Sequence, residues 1–250
     1  MSARANAGEL IARGDAVLLD VDGVICLEDE PIAGAAEAVA SLRSRVPLLV
    51  AVTNDSRRTR VRQHERLARV GLTGARVATA IDALAAELLA QRHCVVAACG
   101  TPSLTADLRR LGVDVDPTRA TALAIGAAAN PSAVADGRAM LARGLPAFAA
   151  NADLSIPTLE GRVPDTGAVV AALGCLPTFC GKPNEPMSRI VHALIGDAAR
   201  VVVIGDGIDT DLAWARAEGW ASIYIGEGEG GDVDADAVVP SIAALATATP

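Results

Sequence analysis

Residues 16–24 read Ala-Val-Leu-Leu-Asp-Val-Asp-Gly-Val, and this stretch decides the fold. Its leading apolar residues predict a short buried strand that ends at Asp20. Equally apolar runs at 48–53 and 200–205 also end in polar residues, and 221–225 indicates a fourth strand. Helical patterns alternate with these strands, at 34–45, 57–70 and 210–218. The alternation predicts an α/β protein built on a Rossmann-like, doubly wound parallel sheet.

The middle of the chain repeats this alternation on a smaller scale. Predicted helices precede predicted strands in three pairs, 81–91 with 94–98, 103–111 with 121–126, and 132–143 with 147–150. We therefore predict a core formed by 1–76 and 178–250, with a second, smaller α/β domain inserted at 77–177.

Composition and charge narrow the classes of partner. Hydrophobic residues make up 51% of the chain, and its formal net charge is −8. An acidic chain repels a phosphate backbone, so we expect no nucleic-acid partner. We see neither a signal peptide nor an apolar run long enough for a membrane span. The five cysteines lack zinc-site spacing, and we expect buried, reduced thiols in a cytoplasmic protein.

Acidic side chains follow two of the predicted strands. Asp20 and Asp22 follow the first, and Asp206 and Asp211 follow the strand at 200–205. Carboxyl ends of parallel strands share one edge of a sheet, so these groups should line one crevice. Crowded carboxylates repel each other unless a cation lies between them, and oxygen ligands suit Mg²⁺. The spacing does not match a calcium-binding loop.

Two other segments suit an anionic ligand. Thr53 and Asn54, at the end of another strand, could donate hydrogen bonds to phosphate oxygens, cap the next helix, or do both. Lys182 is the single lysine among 22 basic residues, and it lies between Gly181 and Pro183. A compact ammonium suits a site crowded with phosphate and carboxylates. By contrast, the arginine run within 57–62 is predicted to be a solvated helix face.

In combination, these motifs resemble the haloacid dehalogenase (HAD) superfamily of phosphohydrolases. Four segments match its motifs in order: Asp20-Val-Asp-Gly-Val, Thr53-Asn54, Gly181-Lys182-Pro183, and Gly205-Asp-Gly-Ile-Asp-Thr-Asp211. The resemblance is strongest to class IIA, the branch of NagD and the p-nitrophenylphosphatases, in which a large α/β cap lies between the second and third motifs. The 77–177 insertion would be that cap.

The resemblance implies a two-step reaction in the core. Asp20 would attack phosphorus and form an aspartyl phosphate, while Asp22 would act as general acid and then general base. Mg²⁺ would be held by the Asp20 and Asp206 carboxylates and the Asp22 carbonyl, with Asp211 in the second shell or acting through water.

The resemblance also assigns roles in binding the substrate. Thr53, Asn54 and Lys182 would hold the transferring phosphoryl group, with Lys182 counted among the catalytic residues. The cap would select the substrate. Related capped enzymes are often dimers through the cap, so the resemblance also implies a homodimer.

Departures from the family pattern mark candidate specificity residues. Asp55 replaces the usual second asparagine and would bring a negative charge near an anionic substrate. The cap segment has Asn151-Ala-Asp153 in place of the commoner Asn-Pro-Asp. Few aromatic residues are available for base stacking, which favours a polyol or sugar phosphate over a nucleotide.

Alternative functions use the same residues. A phosphotransferase or phosphomutase would share the aspartyl phosphate, and a noncatalytic member of the fold would only bind a phosphate ligand. A receiver domain is shorter and lacks an insertion, and a dinucleotide-binding oxidoreductase would need a Gly-x-Gly-x-x-Gly after the first strand.

Overall fold

The structure is a computed structural model, and it describes residues 5–127, 131–227 and 233–248. The chain divides into two compact units. We call Met1–Thr53, His64–Val77 and Val191–Pro250 the core unit, and Asn54–Gln63 with Ala78–Ile190 the second unit.

The secondary structure alternates strands and helices along most of the chain. The strands are β1 (Ala16–Asp20), β2 (Cys26–Leu27), β3 (Glu30–Pro31), β4 (Leu48–Thr53), β5 (Arg76–Thr79), β6 (Val95–Cys99), β7 (Asp114–Val115), β8 (Ala122–Ile125), β9 (Ala147–Ala149), β10 (Ser155–Thr158), β11 (Gly161–Pro164), β12 (Thr178–Phe179), β13 (Val201–Gly205), β14 (Ala221–Ile225) and β15 (Ala237–Val239). The helices are α1 (Ala7–Arg13), α2 (Ala35–Arg45), α3 (Arg60–Arg69), α4 (Ala80–Ala90), α5 (Pro102–Arg110), α6 (Pro131–Ala142), α7 (Thr166–Leu173), α8 (Glu185–Ile195), α9 (Ala213–Glu218) and α10 (Ala244–Thr247).

The core unit is organised around a six-stranded sheet in the order β15-β14-β13-β1-β4-β5. β1 pairs in parallel with both β13 and β4, and Leu19 lies opposite Ile204 on one side and Ala51 on the other. The chain builds the sheet outward from β1 in one direction and then, from β13, in the other. This reversal of direction confirms the predicted doubly wound fold, and sheets of this kind generally bind ligands at the carboxyl ends of their strands.

Apolar runs explain why the central strands are buried. Every residue of β1 and β13 is buried, as expected for parallel strands covered on both faces. Helix α2 packs Ala38, Val39 and Leu42 into the same hydrophobic cluster. The cluster fixes β1 in the sheet and therefore fixes the place where its acidic end emerges.

The second unit has its own five-stranded sheet in the order β12-β9-β8-β6-β7, whose pairs are parallel. Leu123 and Ile125 of β8 pack with Val169 and Leu173 of α7 in a separate hydrophobic cluster. β10 and β11 form an antiparallel hairpin. The core unit and the second unit each contain a parallel sheet with helices packed against it, which agrees with the predicted α/β fold class.

The predicted elements are recovered with small shifts, and α3 begins at Arg60 rather than at 57. The predicted domain boundary at 77 lies next to the break between Val77 and Ala78, whereas 54–63 and 178–190 group with the second unit. The role of the insertion as a substrate-selecting cap stays a prediction. The glycine-rich, acidic composition of 226–236 also predicts a loop, but its residues 228–232 lie outside the described residues.

Cysteine burial and helix length bear on two of the sequence predictions. All five cysteines are free thiols; Cys26, Cys99 and Cys180 are buried, but Cys94 is exposed and Cys175 is partly exposed. The prediction of buried thiols was therefore wrong for two of the five. Across the part of the chain that the structure describes, every helix is too short or too polar to cross a bilayer.

Candidate active site

Three neighbouring strands of the core unit end in polar groups. β1 ends at Asp20, β4 ends at Thr53, and Asp206 directly follows β13. Because β1 lies between β13 and β4 in a parallel sheet, the three ends share one edge. The structure therefore brings together the core-unit groups that the sequence placed in one crevice.

Three carboxylates at this edge form an acidic cluster. Asp20, Asp206 and Asp211 each offer an oxygen, and these oxygens all lie within 4.8 Å of one another. Asp20 and Asp211 are buried, whereas Asp206 is exposed. A cation between carboxylates this close would offset their mutual repulsion. The donor set, which consists of hard oxygens, fits Mg²⁺ at ligand distances of about 2.0–2.1 Å.

A π-helical turn positions the last of these carboxylates. The turn, Ile208–Leu212, follows β13 and leads directly into α9. The Gly207 N–H donates to Asp211 Oδ2 at 3.1 Å, which turns the carboxylate back toward the strand end. A Cβ atom on Gly205 would overlap that same carboxylate, so the site requires glycine there. Single π-helical turns are frequent at functional sites, and the sequence predicted only an ordinary helix here.

Asp22 is held by two donors. The Thr53 hydroxyl donates to Asp22 Oδ2 at 2.7 Å, and the Arg66 guanidinium donates to Asp22 Oδ1 at 2.7 Å. Thr53 was predicted to bind phosphate; in the structure its hydroxyl hydrogen points to Asp22, and the phosphate contact stays a prediction. Both carboxylate oxygens of Asp22 are thus oriented by groups of the core unit.

Arg66 was missed by the sequence analysis. It lies on α3 beside the apolar residues Leu67 and Val70, and its side chain is fully buried. The overlooked signal was a charged residue on the buried stripe of an amphipathic helix, because charges are almost never fully buried unless they are paired.

In the second unit, Asn54 anchors the segment that carries the lysine. Asn54 Oδ1 accepts the Lys182 N–H at 2.8 Å, and Asn54 Nδ2 donates to the Lys182 carbonyl at 3.1 Å and to Asp153 Oδ2 at 2.9 Å. Gly181 passes so close to Asn54 and Ala150 that a side chain there would collide with both. Lys182 itself is buried, with 2% of its surface exposed. The geometry gives Asn54 a positioning role, and its predicted phosphate contact stays untested.

Asp55 is buried in a local ion-pair network rather than lying exposed. Its carboxylate accepts from Arg58 at 2.7 Å, from Gln63 at 3.1 Å and from the Arg57 backbone N–H at 2.9 Å. Burial alone would raise the pKa of Asp55, but Arg58 and Arg57 outweigh it and lower the pKa below its usual range. The solvated-face interpretation was wrong for Arg57 and Arg58, which neutralise this carboxylate. Direct substrate contact by Asp55 stays a prediction, with no support from this geometry.

A second buried carboxyl, Asp165, lies near this network. Burial, with the negative charges of Asp55 and Asp153, raises the pKa of Asp165 to about 7, against the opposing effects of the Thr166 backbone N–H and Arg57. Asp165 precedes α7 and resembles an ordinary N-cap residue, so its sequence position does not distinguish it.

Asn151 and Asp153 also have internal partners. Asn151 Nδ2 donates to the Asn54 carbonyl at 2.6 Å, and Asn151 Oδ1 accepts the Asp153 N–H at 3.0 Å. Asn151 is fully buried, so its geometry indicates a structural link between 54 and 153. Their predicted role in specificity stays untested.

Comparison with known proteins is consistent with this arrangement. A family model described as haloacid dehalogenase-like hydrolase matches residues 17–114, and a second HAD-hydrolase-like model matches residues 179–246. The two matched ranges include β1 from Val17 to its acidic end and the segments around Lys182 and Asp206.

Relatives and solved structures narrow the branch. D-glycerol 3-phosphate phosphatase of Mycobacterium tuberculosis is 30% identical over 84% of this chain, which spans 62% of that relative. The structure of glycerol phosphate phosphatase from the same organism, in complex with magnesium, is 26% identical with a TM-score of 0.78, covering 97% of this chain and 78% of that one. The p-nitrophenyl phosphatase of Archaeoglobus fulgidus is 27% identical with a TM-score of 0.82, covering 93% of this chain and 98% of that one. Together with the motif order and the acidic strand ends, these matches show that the chain belongs to the haloacid dehalogenase-like hydrolases, and its likeness to a p-nitrophenyl phosphatase agrees with the branch that the sequence indicates.

Proposed function

We propose that this chain is a Mg²⁺-dependent phosphatase that hydrolyses a small phosphate monoester through an aspartyl phosphate on Asp20. The observation that carries the proposal is the acidic cluster of Asp20, Asp206 and Asp211, whose oxygens lie within 4.8 Å of one another. It lies beside Asp22, whose two oxygens are oriented by Thr53 and Arg66.

The first step transfers the phosphoryl group to the protein. A carboxylate oxygen of Asp20 attacks phosphorus while the bond from phosphorus to the ester oxygen breaks. Asp22 gives its proton to the departing alkoxide, so the alcohol leaves neutral. Bound Mg²⁺ supplies positive charge that offsets the repulsion between an anionic nucleophile and an anionic ester.

The second step restores the protein. Asp22, now a carboxylate, takes a proton from water as the water oxygen attacks the phosphorus of the aspartyl phosphate. The acyl–phosphate bond breaks, inorganic phosphate leaves, and Asp20 is again a carboxylate. Each step needs Asp22 in the opposite protonation state from the other.

Binding roles follow from chemistry and from family membership. Asp20 and Asp206 would hold the metal together with the Asp22 carbonyl, and Asp211 would act through water. Thr53, Asn54 and Lys182 would meet the charge of the phosphoryl group; the buried Lys182 is supported by its position in the third motif.

We propose a polyol or sugar phosphate as the substrate. The mycobacterial relative is named for D-glycerol 3-phosphate, and the chain has only five aromatic residues, Phe148, Phe179, Trp214, Trp220 and Tyr224. Of these, Phe148 alone falls within the 77–177 insertion, so the proposed cap has little surface for stacking a base.

A panel of phosphate esters assayed with Mg²⁺ and ranked by kcat/KM tests both the phosphatase activity and the proposed substrate class. We expect glycerol and sugar phosphates to rank above nucleoside monophosphates, and a clear nucleotide preference would contradict the substrate class. Asp20→Asn should lower kcat by on the order of 10³-fold or more, and full turnover by that variant would contradict the mechanism.

The same assays separate the alternative functions. Transfer of the phosphoryl group to an added alcohol or sugar in place of water would indicate a phosphotransferase or phosphomutase. Phosphate-ester binding without turnover by the wild-type protein would indicate a noncatalytic ligand-binding member.

Two finer predictions accompany the proposal. We propose a cytoplasmic location, supported by five free cysteine thiols. We also propose a homodimer through the cap, and the molar mass measured by light scattering would test it.

A further inference from the structure

A buried arginine of the core unit stands directly behind the proton-transfer group. Arg66 lies on α3, and its side chain has no exposed surface. Its guanidinium donates to Asp22 Oδ1 at 2.7 Å, and its Nε lies 3.8 Å from Asp29 Oδ1. The second distance is too long for a hydrogen bond but short enough for an ion pair. Arg66 is therefore placed between two carboxylates.

The contact completes the orientation of Asp22. Thr53 fixes Oδ2 at 2.7 Å, but one hydrogen bond leaves the carboxylate free to swing about the axis of that bond. The bond from Arg66 to Oδ1 removes this freedom, because any rotation would now break one of the two contacts. A directed, charge-assisted hydrogen bond also holds its geometry better than a neutral one.

An arginine suits this position better than a lysine would. A guanidinium is planar and presents several N–H donors in fixed directions. One edge of the Arg66 guanidinium can therefore face Asp22 while another part faces Asp29. Asp29 is about one-third exposed and supplies a counter-charge on the far side.

We propose that Arg66 is a positioning residue that holds the Asp22 carboxyl group in line with the ester oxygen and the attacking water. The proposal rests on the proposed function, because it gives Arg66 no role apart from Asp22. Arg66 exchanges no proton in either step. The proton passes between Asp22 and the leaving oxygen, and later between water and Asp22.

This role predicts a dependence on the leaving group. An alkoxide such as that of glycerol must be protonated as it leaves, whereas p-nitrophenolate is stable as an anion. Misplacing Asp22 should therefore lower kcat/KM strongly for glycerol 3-phosphate and weakly for p-nitrophenyl phosphate. General damage to the fold or to phosphate binding would lower both values equally.

The experiment compares Arg66→Met with a matched control, Arg69→Met. Arg69 lies on the same helix, but its partners are the carbonyl of Asp29 and the carboxylate of Glu30 rather than Asp22. For Arg66→Met we expect kcat/KM to fall about 100-fold with glycerol 3-phosphate and less than about 10-fold with p-nitrophenyl phosphate. Arg69→Met should leave both values near wild type. Arg66→Lys keeps the charge and replaces Arg66→Met in the experiment if that variant does not fold. It should also lower kcat/KM more for glycerol 3-phosphate than for p-nitrophenyl phosphate, but by a smaller factor.

A double-mutant cycle then separates positioning from a merely structural role. In the Asp22→Asn background, Arg66→Met should change kcat/KM for p-nitrophenyl phosphate by less than about 3-fold, because the group it positions is already gone. The proposal would be overturned if Arg66→Met lowered kcat/KM equally for the two substrates. It would also be overturned if Arg66→Met lowered kcat/KM as much in the Asp22→Asn background as in the wild type.

Failure of the underlying function would look different. It would appear as a wild-type protein that releases no phosphate with Mg²⁺, or as an Asp20→Asn variant with full turnover. Either result overturns both the proposed phosphatase function and the proposed role of Arg66. If the wild type is active and Asp20→Asn is inactive, the double-mutant cycle tests the role of Arg66 alone.

Discussion

Gly23 and Asp206 approach so closely that a Cβ atom on Gly23 would overlap the Asp206 carboxylate. Gly23 also has φ +91°, a backbone conformation that costs other residues roughly 1–2 kcal/mol. The glycine that follows Asp22 therefore leaves room for a carboxylate from the neighbouring strand.

This contact predicts the effect of Gly23→Ala. The added methyl group should displace the Asp206 carboxylate from the acidic cluster and raise the Mg²⁺ concentration for half-maximal activity by about 10-fold or more. Gly71→Ala is the matched control, because Gly71 has φ +81° but nothing within 4 Å of the added atom. It should lower the thermal midpoint without altering the Mg²⁺ dependence. Equal Mg²⁺ dependence in both variants would contradict the steric account.

Magnesium should stabilise the folded protein as well as support turnover. A ligand that binds only the folded state adds about 2.7 kcal/mol at 100 times its dissociation constant. We therefore expect added Mg²⁺ to raise the thermal midpoint and EDTA to reverse the rise and abolish turnover. Asp206→Asn should lose most of the rise. Asp209→Asn should keep it, since exposed Asp209 lies on the same turn but outside the acidic cluster.

The raised pKa of Asp165 predicts that the free energy of unfolding falls as pH rises. Its pKa is raised to about 7 in the folded protein, so the folded state keeps a proton that the unfolded chain loses near the ordinary aspartate pKa of 3.8. Stability from this group is therefore complete below about pH 4, falls as pH rises toward 7, and is level above that. The shift corresponds to at most about 4 kcal/mol.

Asp165→Asn tests this pH dependence. The variant cannot ionise at this position, so its free energy of unfolding relative to wild type should improve between pH 5 and pH 8. Urea unfolding at several pH values would measure the difference. Asp197→Asn, at an exposed position, should show no such trend. A parallel pH profile for wild type and Asp165→Asn would be inconsistent with a raised pKa.

Asp55→Asn should destabilise the second unit although it restores the residue usual in the family. Removing one charge from a buried ion pair costs about 3–5 kcal/mol, and Arg57 and Arg58 are 20% and 15% exposed, which favours the lower end. Chemical denaturation measures the loss. Asp15→Asn, which breaks the exposed pair with Arg200, should change stability much less. The loss of the Asp55 charge should also lower the pKa of Asp165, visible as a shifted pH profile.

The sequence predicted the parts of the site that depend on local runs of residues. Apolar runs that end in Asp20 and Thr53 identify buried strands and their ends, and parallel pairing then brings those ends to one edge. The pattern needs no knowledge of distant contacts. The central strands and the acidic cluster were therefore accessible from the sequence.

Arg66, Asp55 and Asp165 were not accessible in the same way. Each depends on which polar groups long-range packing buries together, and helical periodicity does not show this. The arginines of 57–62 illustrate the difficulty: their spacing suits a solvated helix, but Arg57 and Arg58 turn back to Asp55 before α3 begins at Arg60. Short elements such as β2 and β12 were also missed, because two-residue strands have no periodicity to detect.

The single lysine of the chain gives a practical consequence. Lys182 carries the only side-chain amine and is 2% exposed. Amine-reactive labels should therefore modify this side chain only when the structure around it opens. The rate at which Lys182 is labelled, followed by mass spectrometry, would report that opening at a single known atom, Nζ, without an engineered probe.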